Sequence, residues 1–185
     1  MTTTLVRTSL VLFILAGLSH PARATVIVPA DLGELARDAR AIVRGRVASV
    51  EARWTDDHRA IESIVTLDVE STLKGSFGPD VQFRVPGGQL GRFRSLVMGA
   101  PEFTVDQRVV VFLGARGPSV PFVLGMSQGV FRVVAADGGG WIVTPPALLP
   151  SKAGTVPIIR GDPNRRPLPL GDFEQRVRAL AGGAR

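Results

Sequence analysis

Residues 61–73 read IESIVTLDVESTL. On an extended chain, Ile61, Ser63, Val65, Leu67, Val69, Ser71 and Leu73 fall on one side. Glu62, Ile64, Thr66, Asp68, Glu70 and Thr72 fall on the other. That is alternation with period two, with Ile64 the apolar exception, and it predicts a β-strand. A strand of this kind has one core face and one mostly wet face, as in antiparallel sheets. Glu62, Asp68 and Glu70 then read as solubilising residues on the wet side.

The same pattern extends outward. Residues 41–55 make a long first strand, with Val43, Gly45 and Val47 on one side and Arg44 and Arg46 on the other. Gly45 offers no side chain to pack and marks a bend or bulge. Thr55-Asp56-Asp57-His58-Arg59 is the polar turn between these two strands. After a Gly/Pro turn over residues 74–80, Val81, Phe83 and Val85 form a third inward face, opposed by Gln82 and Arg84. Pro86-Gly87-Gly88 ends that strand. Residues 91–97 read as a weaker strand, with Arg92 and Arg94 on one side and Phe93 on the other.

Val109, Val110, Val111, Phe112 and Leu113 are continuous, which predicts a central strand covered on both faces. Phe122-Val123-Leu124 is short. Residues 129–134 set Val130, Arg132 and Val134 against Phe131 and Val133. Across the glycine turn at 137–140, Trp141-Ile142-Val143-Thr144 closes a hairpin. No strand–long helix–strand period supports a doubly wound sheet. The expected fold is mainly β: a small antiparallel Greek-key barrel, OB-like, with short terminal helices. A β-sandwich is the alternative. Closure favours the barrel because it removes exposed edges.

The helices have their own signals. Asp31 and Glu34 have capping-box spacing, and Leu32, Leu35, Ala36 and Ala39 follow at helical spacing. At the far end, Asp172 is placed to cap a helix carrying Phe173, Val177 and Leu180.

Three segments carry a family resemblance. Ala41-Ile42-Val43-Arg44-Gly45-Arg46-Val47 resembles the opening strand of netrin-like and tissue-metalloproteinase-inhibitor-like domains. Leu73-Lys74-Gly75 followed by Val81-Gln82-Phe83-Arg84-Val85 is similar to their strand–turn–strand signature. Val109-Val110-Val111-Phe112-Leu113-Gly114 resembles their later barrel strand. The resemblance implies an OB-type barrel and an exported binding protein, with protease modulation as one role. Those inhibitors ligate the protease metal through an N-terminal cysteine. This chain has no cysteine, so their inhibitory contact carries over to no residue here.

Residues 1–24 read as a secretory signal peptide. Arg7 is the basic n-region, the segment from Leu10 to Leu18 is almost wholly apolar, and Ala22-Arg23-Ala24 precedes cleavage before Thr25. The apolar run is short of the ~20 residues of a membrane helix. The expected fate is secreted or periplasmic, with no stable membrane span after cleavage. Domain organisation follows: the leader over 1–24, a barrel-like domain over 25–144, and a proline-rich strap with a short helix over 145–185. The strap holds Pro145, Pro146, Pro150, Pro157, Pro163, Pro167 and Pro169, which oppose central-strand pairing.

The net charge of +6 falls to +4 once Arg7 and Arg23 leave with the leader. Coding bias accounts for arginine-rich composition. The functional alternative is attraction to envelope polymers, lipid headgroups or an acidic partner. Nucleic acid is not an expected partner, because export removes the usual target and no basic recognition helix is present.

Candidate chemistry is sparse. His20 leaves with the leader, so His58 is the remaining histidine. It sits in a solvated turn, and an Asp56, Asp57 and His58 metal cluster lacks the ligand density a cation needs. Residues 86–91, PGGQLG, lack a phosphate-loop lysine. Trp54 and Trp141 read as core or rim packing. No residue is assigned a catalytic, cofactor-binding or metal-binding role, and no cofactor is expected.

The expected function is a noncatalytic protein-binding or accessory domain of the cell envelope or extracellular space. Its partner is an exported or envelope protein. The alternatives are a modulator or inhibitor of a secreted protease, and a histidine-independent hydrolase. The proposed surface is the rim over residues 87–94 with the basic tail: Gly87, Gly88, Arg92, Arg94, Arg165 and Arg166. Sheet-edge hydrogen bonds and modest electrostatic attraction would hold the partner.

Overall fold

A computed structural model describes residues 30–117, 119–146 and 166–183. The leader, much of the proline-rich strap and Arg165 lie outside the described residues. The elements run α1 (Leu32–Asp38), β1 (Ala41–Trp54), β2 (Ile61–Lys74), β3 (Asp80–Pro86), β4 (Gly88–Leu90), β5 (Phe93–Ser95) and β6 (Arg108–Gly114). Then come β7 (Phe122–Val123), a 3-10 turn (Met126–Gly129), β8 (Val130–Ala135), β9 (Trp141–Thr144), β10 (Leu168–Pro169) and α2 (Leu170–Gly182).

Five strands close a barrel. β1 pairs with β2, β2 with β3, β3 with β7, β7 with β6, and β6 returns to β1. The ring excludes the sandwich. It also departs from a wholly antiparallel series, because β3 and β7 run parallel. That contact is short: Arg84 stands opposite Phe122, and the Arg84 N–H donates to the Pro121 carbonyl at 2.8 Å. β8 takes the part of the β6 edge that β7 leaves, and carries β9 and β10 beyond the ring.

Two cores lie on opposite faces of β6. Val109, Val111 and Leu113 enter the barrel interior with Val43, Val65, Leu67 and Phe83. Val110 and Phe112 face outward, beneath Phe131, Leu35, Phe173 and Val177. The continuous apolar run of β6 therefore has the double coverage its composition demands. Helix α1 starts on the expected box: the Glu34 N–H donates to Asp31 Oδ1 at 2.7 Å, and the Asp31 N–H donates to Glu34 Oε2 at 3.0 Å. Asp31→Ala is expected to lower stability by about 1 kcal/mol, read as a shifted denaturant midpoint at unchanged slope.

Three sequence expectations are corrected. Leu73 does not share the face of Val65 and Leu67; it joins the helix-side core. The register slips between Arg44 and Gly45, where Ser71 and Val69 are their partners and Glu70 is the extra residue. One extra residue turns every later side chain to the opposite face. Asp172 does not cap α2. The helix begins earlier, at Leu170 behind Pro169, and Asp172 sits in its first turn, where a negative charge complements the helix dipole.

The third correction concerns the outward carboxylates, which are not simply solvated. Glu70 accepts from Arg44 Nη1 at 2.6 Å and from Arg108 Nε at 2.9 Å. Arg44 Nε reaches Glu174 of α2 at 2.7 Å, and Arg178 Nη2 meets the same carboxylate at 3.2 Å. Arg53 donates from Nε and Nη2 to Glu62 Oε1, and Arg46 bridges Asp68 and Asp106. A planar guanidinium with several fixed donors suits such bridging better than a lysine ammonium. Each exposed pair contributes little alone. Of these contacts, the Arg44–Glu174 pair joins α2 to the sheet, beside a hydrogen bond from Arg178 Nη2 to Ser71 Oγ at 3.3 Å.

Candidate functional site

The connection from β3 to β6 does not run straight across the barrel end. It first folds back as the β4–β5 hairpin and then loops through residues 96–107. A cleft of about 370 Å³ opens between this excursion and the far halves of β1 and β2. Val50, Ala52, Ser63 and Val65 form its floor, and Gly87, Gly88, Arg94, Val97 and Glu102 are among its walls. Phe103 closes the inner end, with its ring 5.3 Å from that of Phe83.

Glycine makes the fold-back possible. Gly88 has φ +146°, and a Cβ there would meet Ser63 Oγ at 2.5 Å and Ala52 Cβ at 3.2 Å. Gly87 has φ +93°, and its Cβ would meet the Ser95 carbonyl at 2.9 Å. The Ser63 hydroxyl donates to the Gly87 carbonyl at 2.8 Å, and the Gly87 N–H donates to the Ile61 carbonyl at 2.9 Å. Both expected glycines therefore line the cleft and hold its wall in place.

The expected strand over residues 91–97 is replaced by a hairpin. Gly91, at φ +58°, takes the first central position of a two-residue turn, where glycine is favoured. Only Phe93–Ser95 is extended, paired with Gly88–Leu90. This separates the two arginines. Arg92 sits at the turn with its guanidinium 5.1 Å from the centre of the Phe93 ring, and Phe93 meets Trp54 edge-on at 5.7 Å. Arg94 stands opposite Gln89 and lines the cleft, with no ion pair among the described residues. The turn makes Leu90 and Phe93 a hydrogen-bonded pair, so the Arg94 N–H and C=O face the open side of β5.

The outer lip was missed by sequence reading. Leu96 and Met98 are 74% and 73% exposed, and Val97 between them is 40% exposed. The signal present was three consecutive apolar residues with no period, between Ser95 and Gly99. Arg166 is exposed at the approach to β10 and is not part of the cleft lining.

The Ser63 hydroxyl is already engaged. His58 occupies the β1–β2 turn at φ +55° and does not line the cleft. Beside it, the Thr55 hydroxyl and then the Arg59 N–H hold the Asp57 carboxyl below its usual range. Among the described residues no three His, Cys, Asp or Glu side chains group as metal ligands, and no helix is long and apolar enough to cross a membrane. Trp141 is a rim residue, with the Arg108 guanidinium 4.6 Å from its ring centre. No protein-family model, curated protein or solved structure matches this chain.

Proposed function

We propose that this is an exported, noncatalytic protein-binding or accessory domain, which takes an extended segment of an envelope or extracellular protein into the β4–β5 cleft. The observation that carries the reading is the open side of β5. There the backbone groups and guanidinium of Arg94 lie beside the exposed lip of Leu96, Val97 and Met98. An added strand gains affinity from main-chain hydrogen bonds and specificity from pockets for alternate side chains. The partner segment would alternate apolar residues, for the cleft and lip, with an acidic residue for Arg94. Large exposed apolar residues gathered at a cleft mark interaction surfaces more often than scattered ones do.

The test is a displayed library of extended peptides, selected on the purified chain and then measured singly. Leu96→Asp and Arg94→Glu are each expected to weaken binding about tenfold, equivalent to ~1.4 kcal/mol. Arg132→Glu, an exposed change on β8, should leave it unchanged. Peptides bound equally by all four proteins would remove the cleft from the reading.

A further inference from the structure

The far half of β1 has a second open edge. β1 pairs with β6 only from Ala41 to Arg46. Beyond that the Val47 N–H donates to the Gln107 carbonyl, and the chain preceding β6 turns away at Asp106, which has φ +70°. A register slip between Val47 and Ser49 also twists β1 there. Residues 49–54 are then paired with β2 alone.

Which backbone groups remain open follows from the ladder. The Thr55 N–H donates to the Ala60 carbonyl across the turn, and the Gly87 N–H donates to the Ile61 carbonyl on the β3 side. Hydrogen-bonded and non-hydrogen-bonded pairs alternate along an antiparallel ladder. Arg53 and Glu51 therefore bond to β2, while the N–H and C=O of Val50, Ala52 and Trp54 point outward. No partner for them exists among the described residues. Natural edges of this length are usually blunted by lysine, proline or a cover. This one carries one acid and one base, Glu51 and Arg53, both exposed.

We infer that this edge pairs with the same edge of a second copy of the chain, antiparallel, with Ala52 of each copy at the two-fold axis. The register is self-complementary. Ala52 meets its own counterpart, and Val50 meets Trp54 of the other copy, so that all three outward backbone groups on each side are satisfied. Between them, Glu51 meets Arg53 of the other copy twice, by symmetry. These fall at the non-hydrogen-bonded positions, where facing side chains stand closest. Glu51 has no ion pair within the described chain, and Arg53 spends only Nε and Nη2 on Glu62. An isologous contact of this kind closes on itself and builds no fibre. Self-pairing uses the outward backbone edge of β1, whereas peptide capture uses the backbone edge of β5 and meets β1 only through the side chains of Val50 and Ala52 on the cleft floor, so either can fail alone.

Sedimentation equilibrium of the purified chain tests it, joined to amide exchange at Val50, Ala52 and Trp54. A concentration-dependent dimer is expected, with those three amides protected as it forms. Glu51→Arg sets like charges opposite each other twice and should raise the dissociation constant tenfold or more, on the order of two reversed cross-strand pairs. Mixing Glu51→Arg with Arg53→Glu restores both opposite-charge pairs and should recover dimers in the mixture alone. If Arg53→Glu fails to fold, the exchange of the three amides in the wild type and Glu51→Arg decides. A wild type that is monomeric at every concentration overturns the inference. So does a Glu51→Arg dimer as tight as wild type, or a dimer whose three amides exchange as freely as the monomer's.

Discussion

Gly45→Ala is expected to lower stability by about 3 kcal/mol, the upper end of the cost of overpacking a filled interior. A Cβ at this position would lie 2.3 Å from the Asp68 carbonyl oxygen and 3.2 Å from its carbon. Both are backbone atoms, so no side-chain rotation relieves the clash. Gly45 is also held from both sides, opposite Val69 on β2 and Val109 on β6. Moving β1 away from β2 means opening the ring that closes the barrel. A loss of this size is a large share of the ~5–15 kcal/mol that small domains possess. Gly138→Ala is the control: it has an ordinary φ, and a Cβ there meets nothing within 4 Å. It should change stability by less than about 0.5 kcal/mol. Urea unfolding reads both as midpoints. Equal midpoints for the two variants would mean that β1 and β2 do not cross this closely.

Gly45 also shows how far the sequence carried. A glycine inside a good strand pattern signals a bulge or close approach, and the register slip falls beside it. What could not be read was the partner's extra residue, Glu70, because its position depends on pairing between two distant strands. That is why alternation alone puts Leu73 on the wrong face. The same limit hid the ion pairs. Alternation places Glu62 and Glu70 outward, but only register puts Arg53 and Arg44 opposite them. The double burial of β6 and the capping box of α1 were legible because each is a local pattern with one physical cause. The β4–β5 hairpin was blurred because three-residue strands are too short to show a period. The cleft was partly legible, through Gly87, Gly88 and Arg94. Its floor comes from β1 and β2, tens of residues earlier, and no local signal joins them.

Phe131→Ala is expected to cost about 3–5 kcal/mol, the range for truncating a buried phenylalanine. Phe131 is 3% exposed and stands between two rings, Phe112 at 5.5 Å and Phe173 at 5.0 Å. It therefore ties the sheet to α2, whereas Phe83 fills the barrel interior on the other side of β6. Two cores separated by one strand make a distinct thermodynamic pattern. Milder Phe→Leu changes, at about 1–2 kcal/mol each, keep double variants folded enough to measure. Phe131→Leu with Phe173→Leu should lose less than the sum of the singles, by about 0.5–1.5 kcal/mol, because each single already breaks their shared ring contact. Phe131→Leu with Phe83→Leu should be additive within about 0.5 kcal/mol, because they sit in separate cores on opposite faces of β6. The reverse pattern, coupling across β6 and additivity between Phe131 and Phe173, would mean a single continuous core in which α2 contributes no separate layer.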